Sequence, residues 1–323
     1  MRNREMKQMM ALASRLTLAQ RRELMAALAA SQASAESVVV IEGRVGAQPI
    51  CAHCQGRHVV RNGQADGLQR YKCRNCGKTF NALTGTPLAR LRHKGKWLTQ
   101  AAVLQQGLSI VKAAEQLEVA PSTAFRWRHR FLALPQTVKA RELTGIAEAD
   151  ETYMLHSCKG QRETVRKLAR KSRRRGGKAS KRGLSKEQVV VLVARDRAGC
   201  TTDFILEAGD KSHIVAALRP VLAPDALLCT DGGTALAAAA RQMGVEHHSV
   251  NLSAGVRVDG PWHVQNVNAY HGRLKQWMRR FNGVATSYLG SYLGWFRALD
   301  RSAKTSPQPA HLLALAIGAS AHP

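Results

Sequence analysis

Acidic residues are scarce in this sequence. The 323 residues include 22 Asp and Glu against 49 Lys and Arg, which gives a formal net charge of +27. An excess of this size is far larger than solubility requires, and the resulting field attracts polyanions. The composition therefore predicts a nucleic acid as the partner, with an anionic membrane surface as the competing explanation.

Long apolar runs and secretion signals are also missing from the pattern. No uninterrupted apolar run approaches the roughly 20 residues that span a bilayer. The first residues also lack the pattern of a signal peptide, which is a basic segment followed by an apolar segment and a cleavage site. These absences argue against a membrane protein and against secretion. We expect a soluble, cytoplasmic protein that associates with the nucleoid.

The cysteines do not suggest a disulfide framework. Their number is odd, seven, and four of them form two CxxC pairs. Without a secretion signal, such pairs favour a metal over disulfides. The other three, Cys158, Cys200 and Cys229, are expected to be buried or idle thiols, because cysteine packs as a small apolar residue.

The chain is long enough for two or three domains. Residues 1–45 are expected to form a helical segment and a linker. The sequence Thr17–Ala30 predicts a helix with Thr17 as its N-cap, a Ser/Ala-rich linker over Ser31–Ser37, and a short strand over Val38–Ile41.

Residues 46–90 have the pattern of a zinc ribbon. Each CxxC turn directs two thiolates at one point, and four sulfurs complete a tetrahedral Zn²⁺ site. Two strand-like runs separate the pairs, as in a hairpin around residues 62–67. We expect structural zinc, with a redox dithiol pair or chance spacing as alternatives; His53 and His58 are expected to face solvent or phosphate. The predicted ligands are Cys51, Cys54, Cys73 and Cys76.

Residues 91–138 predict a helix-turn-helix. Ser109 opens a short amphipathic helix, and Pro121 suits the first turn of the next one. The start of that second helix is the part that reads base edges in a major groove. The alternative is a basic helical hairpin that only packs against its neighbours. The predicted DNA-contacting residues here are Ser122, Thr123, Arg126, Arg128 and Arg130.

After residue 138, strand-like and helix-like segments alternate, which favours an α/β architecture. Two strand-like runs each carry an aspartate: Ile146–Tyr153 contains Asp150, and Ala226–Thr230 is followed by Asp231. Carboxylates at strand ends suit Mg²⁺, which binds one or two carboxylates together with water and phosphate oxygens. Taken alone, an aspartate in such a place is more often a cap or a turn residue.

The order of these motifs resembles that of bacterial insertion-sequence transposases. The order is zinc ribbon, helix-turn-helix, Ala149–Tyr153 (ADETY), Thr230–Gly232 (TDG) and a terminal helix, and the likeness covers roughly Cys51 to Leu299. It implies an RNase H-like catalytic domain with a mixed sheet over residues 139–305. It also implies DDE-type chemistry, in which Asp150 and Asp231 hold two Mg²⁺ or Mn²⁺ ions. The reaction would be cleavage and strand transfer of double-stranded DNA, at the terminal inverted repeats and at target sites.

The third acid of that pattern is missing. The family places a glutamate in the terminal helix, commonly seven residues before a basic residue, and Lys275 fits as that residue. Asn268 stands seven residues before it, and His271 follows one turn later; residues 260–299 contain no Glu or Asp. Related transposases include Asn or His variants, so we expect Asn268, ahead of His271, as the third ligand. The alternative is a catalytically impaired copy.

A basic insertion separates the first two strands of this domain. Residues 159–183 include the predicted DNA-contacting residues Arg170, Lys171, Arg173, Arg174 and Arg175. Such density is typical of salt-dependent, largely non-specific DNA binding, or of a solvated loop. Residues 306–323 are expected to be a C-terminal tail, either an Ala/Leu helix or frayed.

Two other functions compete with a transposase. A zinc-ribbon, helix-turn-helix regulator would bind DNA without any chemistry, and a plain RNase H-type nuclease would cut without joining. A transposase must handle both ends of its element, so the resemblance also implies a homo-oligomer on DNA.

Overall fold

The computed structural model describes residues 3–161, 179, 185, 187–250, 254–303 and 308–319. The chain divides into two compact units. The first consists of Met1–Leu134 together with Pro307–Pro323, and the second is Pro135–Ser306. The second unit is therefore inserted between two segments of the first.

Two helices open the first unit. They are α1 (Asn3–Arg15) and α2 (Leu18–Gly43), and Thr17 caps α2 through a reciprocal capping box with Gln20. The predicted cap is confirmed, but the predicted linker and strand are wrong, because α2 continues through both. Alanine favours helix. The hydroxyl of Ser37 donates a hydrogen bond to the carbonyl of Ala33, one turn earlier in the same helix.

Helix α2 also qualifies the expectation about apolar runs. Within the described residues it is the one helix long and apolar enough, by length and composition alone, to cross a bilayer. Serine, glutamine and glutamate interrupt its sequence, so the run is not apparent as continuous apolar residues. A single helix of this kind near the N-terminus is weak evidence for a membrane.

A three-stranded antiparallel sheet follows, with the order β1 (Val59–Ala65), β2 (Leu68–Cys73) and β3 (Thr79–Phe80). The hairpin between β1 and β2 is tighter than predicted. It turns at Asp66 and Gly67, which both have positive φ, the pairing that a two-residue hairpin turn prefers.

Three short helices form the next part of this unit: α3 (Trp97–Gln106), α4 (Ile110–Leu117) and α5 (Pro121–Leu132). Ser109 caps α4 by accepting from the backbone of Lys112, and Pro121 is the first residue of α5. Their apolar faces meet in a core of Val103, Ala113, Ala114, Leu117, Ala124 and Trp127. The C-terminal helix α10 (Pro309–Ile317) packs against α2, α3 and α5.

The second unit contains a mixed five-stranded sheet. Its strands are β4 (Ile146–Leu155), β5 (Gln188–Asp196), β6 (Thr201–Leu206), β7 (Leu227–Thr230) and β8 (Glu246–Ser249), in the order β6-β5-β4-β7-β8. Strands β4, β5 and β6 pair antiparallel, whereas β4–β7 and β7–β8 pair parallel. The predicted α/β class with a mixed sheet is confirmed.

In the described part of this unit, four α-helices accompany the sheet: α6 (Lys211–Leu218), α7 (Thr234–Met243), α8 (Gln265–Arg279) and α9 (Leu289–Ser302). Side chains of α6 and α7 form one core with alternate residues of β4 and β5, including Ala147, Ala149 and Leu192. Because successive strand residues point to opposite faces, the residues between them face the other way, where α8 packs on β4 and β5.

Candidate functional site

Asp150 lies on the face of the sheet that α8 covers. Within β4 it alternates with Ala149, which belongs to the core on the opposite face, and it shares its own face with the buried residues Glu148 and Thr152. One carboxylate oxygen of Asp150 accepts a hydrogen bond from the backbone of Glu151 at 2.8 Å. The other oxygen is directed toward α8.

Asp231 follows a strand that pairs in parallel with the strand of Asp150. The parallel strands pair Ile146 with Leu227, and the pairing continues to Glu148 with Cys229. The paired residues end there, and Asp150 and Asp231 each stand two positions after this last pair, so the two aspartates lie beyond neighbouring positions of adjacent strands. Asp231 follows the last residue of β7, and its Oδ1 accepts from the backbone of Gly233 at 3.0 Å.

Helix α8 places His271 against Asp150. The Nδ1 of His271 is 3.5 Å from the Oδ2 of Asp150, and the ring is buried, with 5% exposed. Its Nε2 has no hydrogen-bond partner among the described residues. Asn268, three residues earlier, and Lys275, four residues later, are both exposed. Of the three predicted side chains on this helix, His271 is the one with a measured contact to Asp150.

Glu151 points to the other face of β4, yet it lies within the electrostatic influence of both aspartates. Burial, and then the charges of Asp150 and Asp231, raise the pKa of Glu151 to about 7 from an ordinary value of 4.5. The pKa of Tyr153 is raised by burial first and then by the same three carboxylates. Negative charge is thus concentrated at this part of the sheet, as at a cation site before an ion binds.

Glu148 is a site residue that sequence reasoning missed. It is completely buried, and its carboxylate contacts Arg197, His263, Asn266 and the backbone of Val267. An acid two positions before Asp150 in an apolar strand must share its face, and this was the available signal. Its partners could not be read from the sequence, because they are about 50 to 120 residues away.

The four cysteines of the two CxxC pairs converge in the first unit. The Sγ atoms of Cys51 and Cys76 are 3.7 Å apart, and those of Cys54 and Cys73 are 3.6 Å apart. All four lie within 4.8 Å of one another. Tetrahedral zinc with bonds of about 2.3 Å requires sulfurs roughly 3.8 Å apart. The cluster therefore has the donor set and the spacing for a structural zinc ion.

No other group of three or more His, Cys, Asp or Glu ligand atoms in the described part of the chain meets as closely as these thiols. Asp150, Asp231 and His271 are thus less tightly gathered than the cysteines. Of the remaining thiols, Cys158 and Cys229 are buried and Cys200 is exposed.

Helix α5 exposes fewer basic residues than its sequence predicts. Ser122, Arg126 and Arg130 are exposed and Thr123 is half-buried. Arg128 is a correction: it is 1% exposed and donates to the backbone carbonyl of Leu108 at 2.6 Å. Its side chain therefore joins α5 to the segment before α4 and is not available to DNA.

The other predicted DNA-contacting residues lie outside the described residues. They are Arg170, Lys171, Arg173, Arg174 and Arg175.

Two sequence comparisons with known proteins indicate the same class. Residues 142–297 match the family model described as the ISXO2-like transposase domain. A protein in transposable element ISH50 of Halobacterium salinarum is 28% identical over 254 residues, which cover 76% of this chain and 83% of that protein. A crystal structure of a pre-cleavage Mos1 transpososome covers 64% of this chain and 76% of its own, at 12% identity and a TM-score of 0.21, too low to indicate a shared fold.

The family model and the curated relative together support an insertion-sequence transposase. The segment similar to the ISXO2-like transposase domain lies inside the second compact unit and contains Asp150, Asp231 and His271.

Proposed function

We propose that this transposase binds the terminal inverted repeats of an insertion sequence and cuts and joins DNA with divalent metal ions. The observation that carries the proposal is the contact between His271 Nδ1 and Asp150 Oδ2, and it is supported by the position of Asp150 and Asp231, each two residues after the last paired residues of β4 and β7. Acids on neighbouring strands and a nitrogen donor from a covering helix are suited to a shared metal site.

The residues present fit a hard divalent cation. Asp150 and Asp231 supply carboxylate oxygens, and the ring nitrogen of His271 that faces Asp150 is Nδ1. Asn268 offers an amide oxygen on the same helix face. Asp150 and Asp231, with Asn268 or His271, would hold two Mg²⁺ or Mn²⁺ ions. When bound, such ions stabilise the attacking and leaving oxygens of an in-line phosphoryl transfer.

The side chains around this site have separate roles in the proposal. The backbone N–H groups of Glu151 and Gly233 each bind one oxygen of an aspartate, which leaves the second oxygen of that aspartate to face the ions. Lys275 is exposed on α8 and is assigned to a DNA phosphate. The raised pKa of Glu151 keeps that carboxyl partly protonated near neutral pH, so it adds less negative charge.

The first unit would hold the DNA. In this proposal residues 46–90 are a zinc ribbon, residues 91–138 are a helix-turn-helix, and residues 139–305 are the RNase H-like catalytic domain; 1–45 and 306–323 flank them. The start of α5, with Ser122, Thr123 and Arg126, would enter the major groove. The basic residues of 159–183 would add salt-dependent phosphate binding.

Two element ends must be cut and joined together, so the active species is proposed to be a dimer or a larger assembly on DNA. Mass measurement of the complex on terminal-repeat DNA tests this. A monomer at saturating protein would contradict the assembly.

The catalytic proposal is tested with Asp150→Ala and Asp231→Ala. Each should abolish Mg²⁺-dependent cleavage of terminal-repeat DNA, a loss of at least about 1,000-fold, while gel retention of the DNA is nearly unchanged. Asp225→Ala is the matched control, because Asp225 is an exposed aspartate just before β7. It should cut like the wild type.

The same assay separates the alternatives. A regulator would retain DNA and show no cleavage even as wild type. A plain nuclease would cut without joining and without preference for inverted repeats. Cleavage that survives either substitution would contradict the assigned site.

A further inference from the structure

The carboxylate of Glu148 is buried completely between β4 and α8. A buried charge is costly unless it is paired and fully hydrogen-bonded. Glu148 meets this condition: Arg197 Nη1 lies 2.6 Å from Oε1, and the amide of Asn266 donates to the same oxygen at 2.8 Å. Arg197 also donates to the carbonyl of Pro261 at 2.9 Å, so the pair holds the segment that leads into α8.

Glu148 also caps α8 from a different element. Val264 occupies the N-cap position of α8 and provides no side-chain hydrogen bond. The N–H of Val267, which an N-cap side chain normally binds, donates instead to Oε2 of Glu148 at 3.0 Å. A carboxylate at this end of a helix is favoured by the helix dipole. The start of α8 is thus fixed by a residue of β4.

The two contacts between β4 and α8 have similar spacings on the strand and on the helix. Asp150 is two residues after Glu148, about 6.8 Å along a strand. His271 is four residues after Val267, about 6.0 Å along a helix and on the same helix face. The contact of Glu148 with Val267 therefore sets the helix register at which His271 meets Asp150.

We propose that Glu148 is a positioning residue that, with Arg197, holds α8 in the register at which His271 meets Asp150. The inference rests on the proposed function, because it concerns the metal site assigned there. Glu148 acts through the helix and does not contact the metal. Removing it lets the start of α8 shift, which separates the donors that share the ion.

A second ion pair on α8 provides the matched control. Arg273 binds Asp300 of α9 with Nη2 at 2.7 Å and Nε at 2.8 Å, and Arg195 of β5 binds the same aspartate. This pair stabilises α8 without contacting its start. Asp300→Asn should therefore lower stability and leave the metal site in register.

The test measures Mn²⁺ binding to the full-length protein by electron paramagnetic resonance, without DNA. Glu148→Ala should weaken Mn²⁺ affinity by about 10-fold or more, the usual effect of removing a residue that orients metal ligands. Glu148→Gln keeps an oxygen for the Val267 N–H and should recover part of that loss. Asp300→Asn should bind like the wild type.

Amide hydrogen exchange of α8 provides a second measurement that does not depend on metal. Val267 should lose protection in Glu148→Ala and retain it in Asp300→Asn. If Glu148→Ala does not fold, Glu148→Gln and Asn266→Ala serve instead, because each removes part of the contacts of Glu148 with Arg197 and the start of α8. Each should weaken Mn²⁺ binding to a smaller degree.

The results distinguish the role of Glu148 from the proposed metal-dependent DNA cleavage. Unchanged Mn²⁺ affinity in the Glu148 variants, or equal weakening in Asp300→Asn, overturns the inference and leaves the proposed function intact. A wild type that binds Mn²⁺ but cuts no DNA overturns the proposed function, while the affinity comparison still decides the role of Glu148. A wild type that binds no Mn²⁺ overturns both.

Discussion

The Nδ1 of His271 lies 3.5 Å from the Oδ2 of Asp150, across the boundary between α8 and β4. The family pattern would place a glutamate in this helix, and the sequence offers Asn268 and His271 instead. Asn268 is exposed, whereas His271 is buried and adjacent to an acid. His271 is therefore the one of the two that contacts Asp150, and the choice between them as third metal ligand stays a prediction.

His271→Ala should reduce Mg²⁺-dependent cleavage more than Asn268→Ala does. A buried donor next to Asp150 is pre-positioned for the ion, so its loss should cost about 10- to 100-fold in metal affinity. The measurement is cleavage rate against Mg²⁺ concentration. Gln276→Ala, an exposed amide on the same helix, is the control and should have no effect. A larger effect from Asn268→Ala would reverse the assignment.

Removal of one zinc ligand should unfold part of the first unit. Cys73→Ser replaces a buried thiol of the four-cysteine cluster, and structural zinc binding supplies folding free energy directly. Elemental analysis should find about one zinc per wild-type chain and much less in the variant, which should also melt at lower temperature. Cys200→Ser, outside the cluster and exposed, should retain zinc. Zinc-free, fully folded wild type would contradict the site.

Arg126 and Arg128 should respond differently to substitution. Arg126 is exposed on α5, so Arg126→Ala should weaken DNA binding and, if the side chain contacts a phosphate, reduce the salt dependence by about one counterion. Arg128→Leu should instead lower the stability of the fold, because the buried guanidinium binds Leu108. Fluorescence anisotropy at several salt concentrations and urea unfolding measure the two effects. The reverse result would return Arg128 to the DNA-contacting face.

Gly294 and Gly290 of α9 provide a matched pair of stability tests. A methyl group at Gly294 would lie 2.7 Å from the backbone nitrogen of Gln136, whereas one at Gly290 would have its nearest neighbour at 3.6 Å. Gly294→Ala should therefore lower the free energy of unfolding by about 2 kcal/mol or more. Gly290→Ala should be neutral or stabilise by up to about 1 kcal/mol, because alanine favours helix. Urea unfolding distinguishes them, and equal effects would contradict the close approach.

Acid should weaken the first unit through His129. Burial, and then the charge of Arg128, lower the pKa of His129 to about 4 from an ordinary value of 6.5. The unfolded chain therefore takes up a proton below pH 6.5 that the folded chain does not. The contribution of the neutral His129 ring to folding stability is complete above pH 6.5 and is lost as the pH falls toward about 4.

His129→Gln removes this titration. Between neutral pH and about pH 4.5 the variant should lose less stability than the wild type, by on the order of 1 kcal/mol because the ring is only partly buried. Urea midpoints at the two pH values provide the measurement. Both proteins lose zinc in acid alike, so the difference between them isolates the histidine. Equal losses of stability in the wild type and in His129→Gln would show that the pKa of His129 is not lowered by folding.

The sequence predicted the elements whose residues repeat with the period of their structure. The strand-like run Ile146–Tyr153 lies in β4 (Ile146–Leu155), and Ala226–Thr230 covers β7 (Leu227–Thr230), both within two residues of the predicted bounds. Strand β8 was missed, because the polar edge sequence Glu246–Ser249 has no apolar alternation. The second half of α2 was misread, because its Ser and Val content matches linkers and strands as well as helices.

The site was predictable only where a local pattern specifies it. Asp150 stands out as an acid inside a strand-like run and Asp231 as an acid directly after one, although Asp150 lies in the middle of β4 and not at a strand end. The burial of Arg128 depends on how α5 crosses the segment before α4, and the role of Glu148 depends on a helix about 119 residues away. Contacts between distant segments leave no periodic signature in one sequence.

Helix α10 packs with α2, α3 and α5, which end about 180 to 270 residues before it, so the first unit is completed by a segment that is translated after the whole second unit. During translation the ribosome releases the whole second unit before that helix emerges. A nonsense codon just after Ser306 would leave the second unit whole. The same truncation would deprive the N-terminal helices of a packing partner, and on the ribosome those helices wait for that partner until α10 has been made.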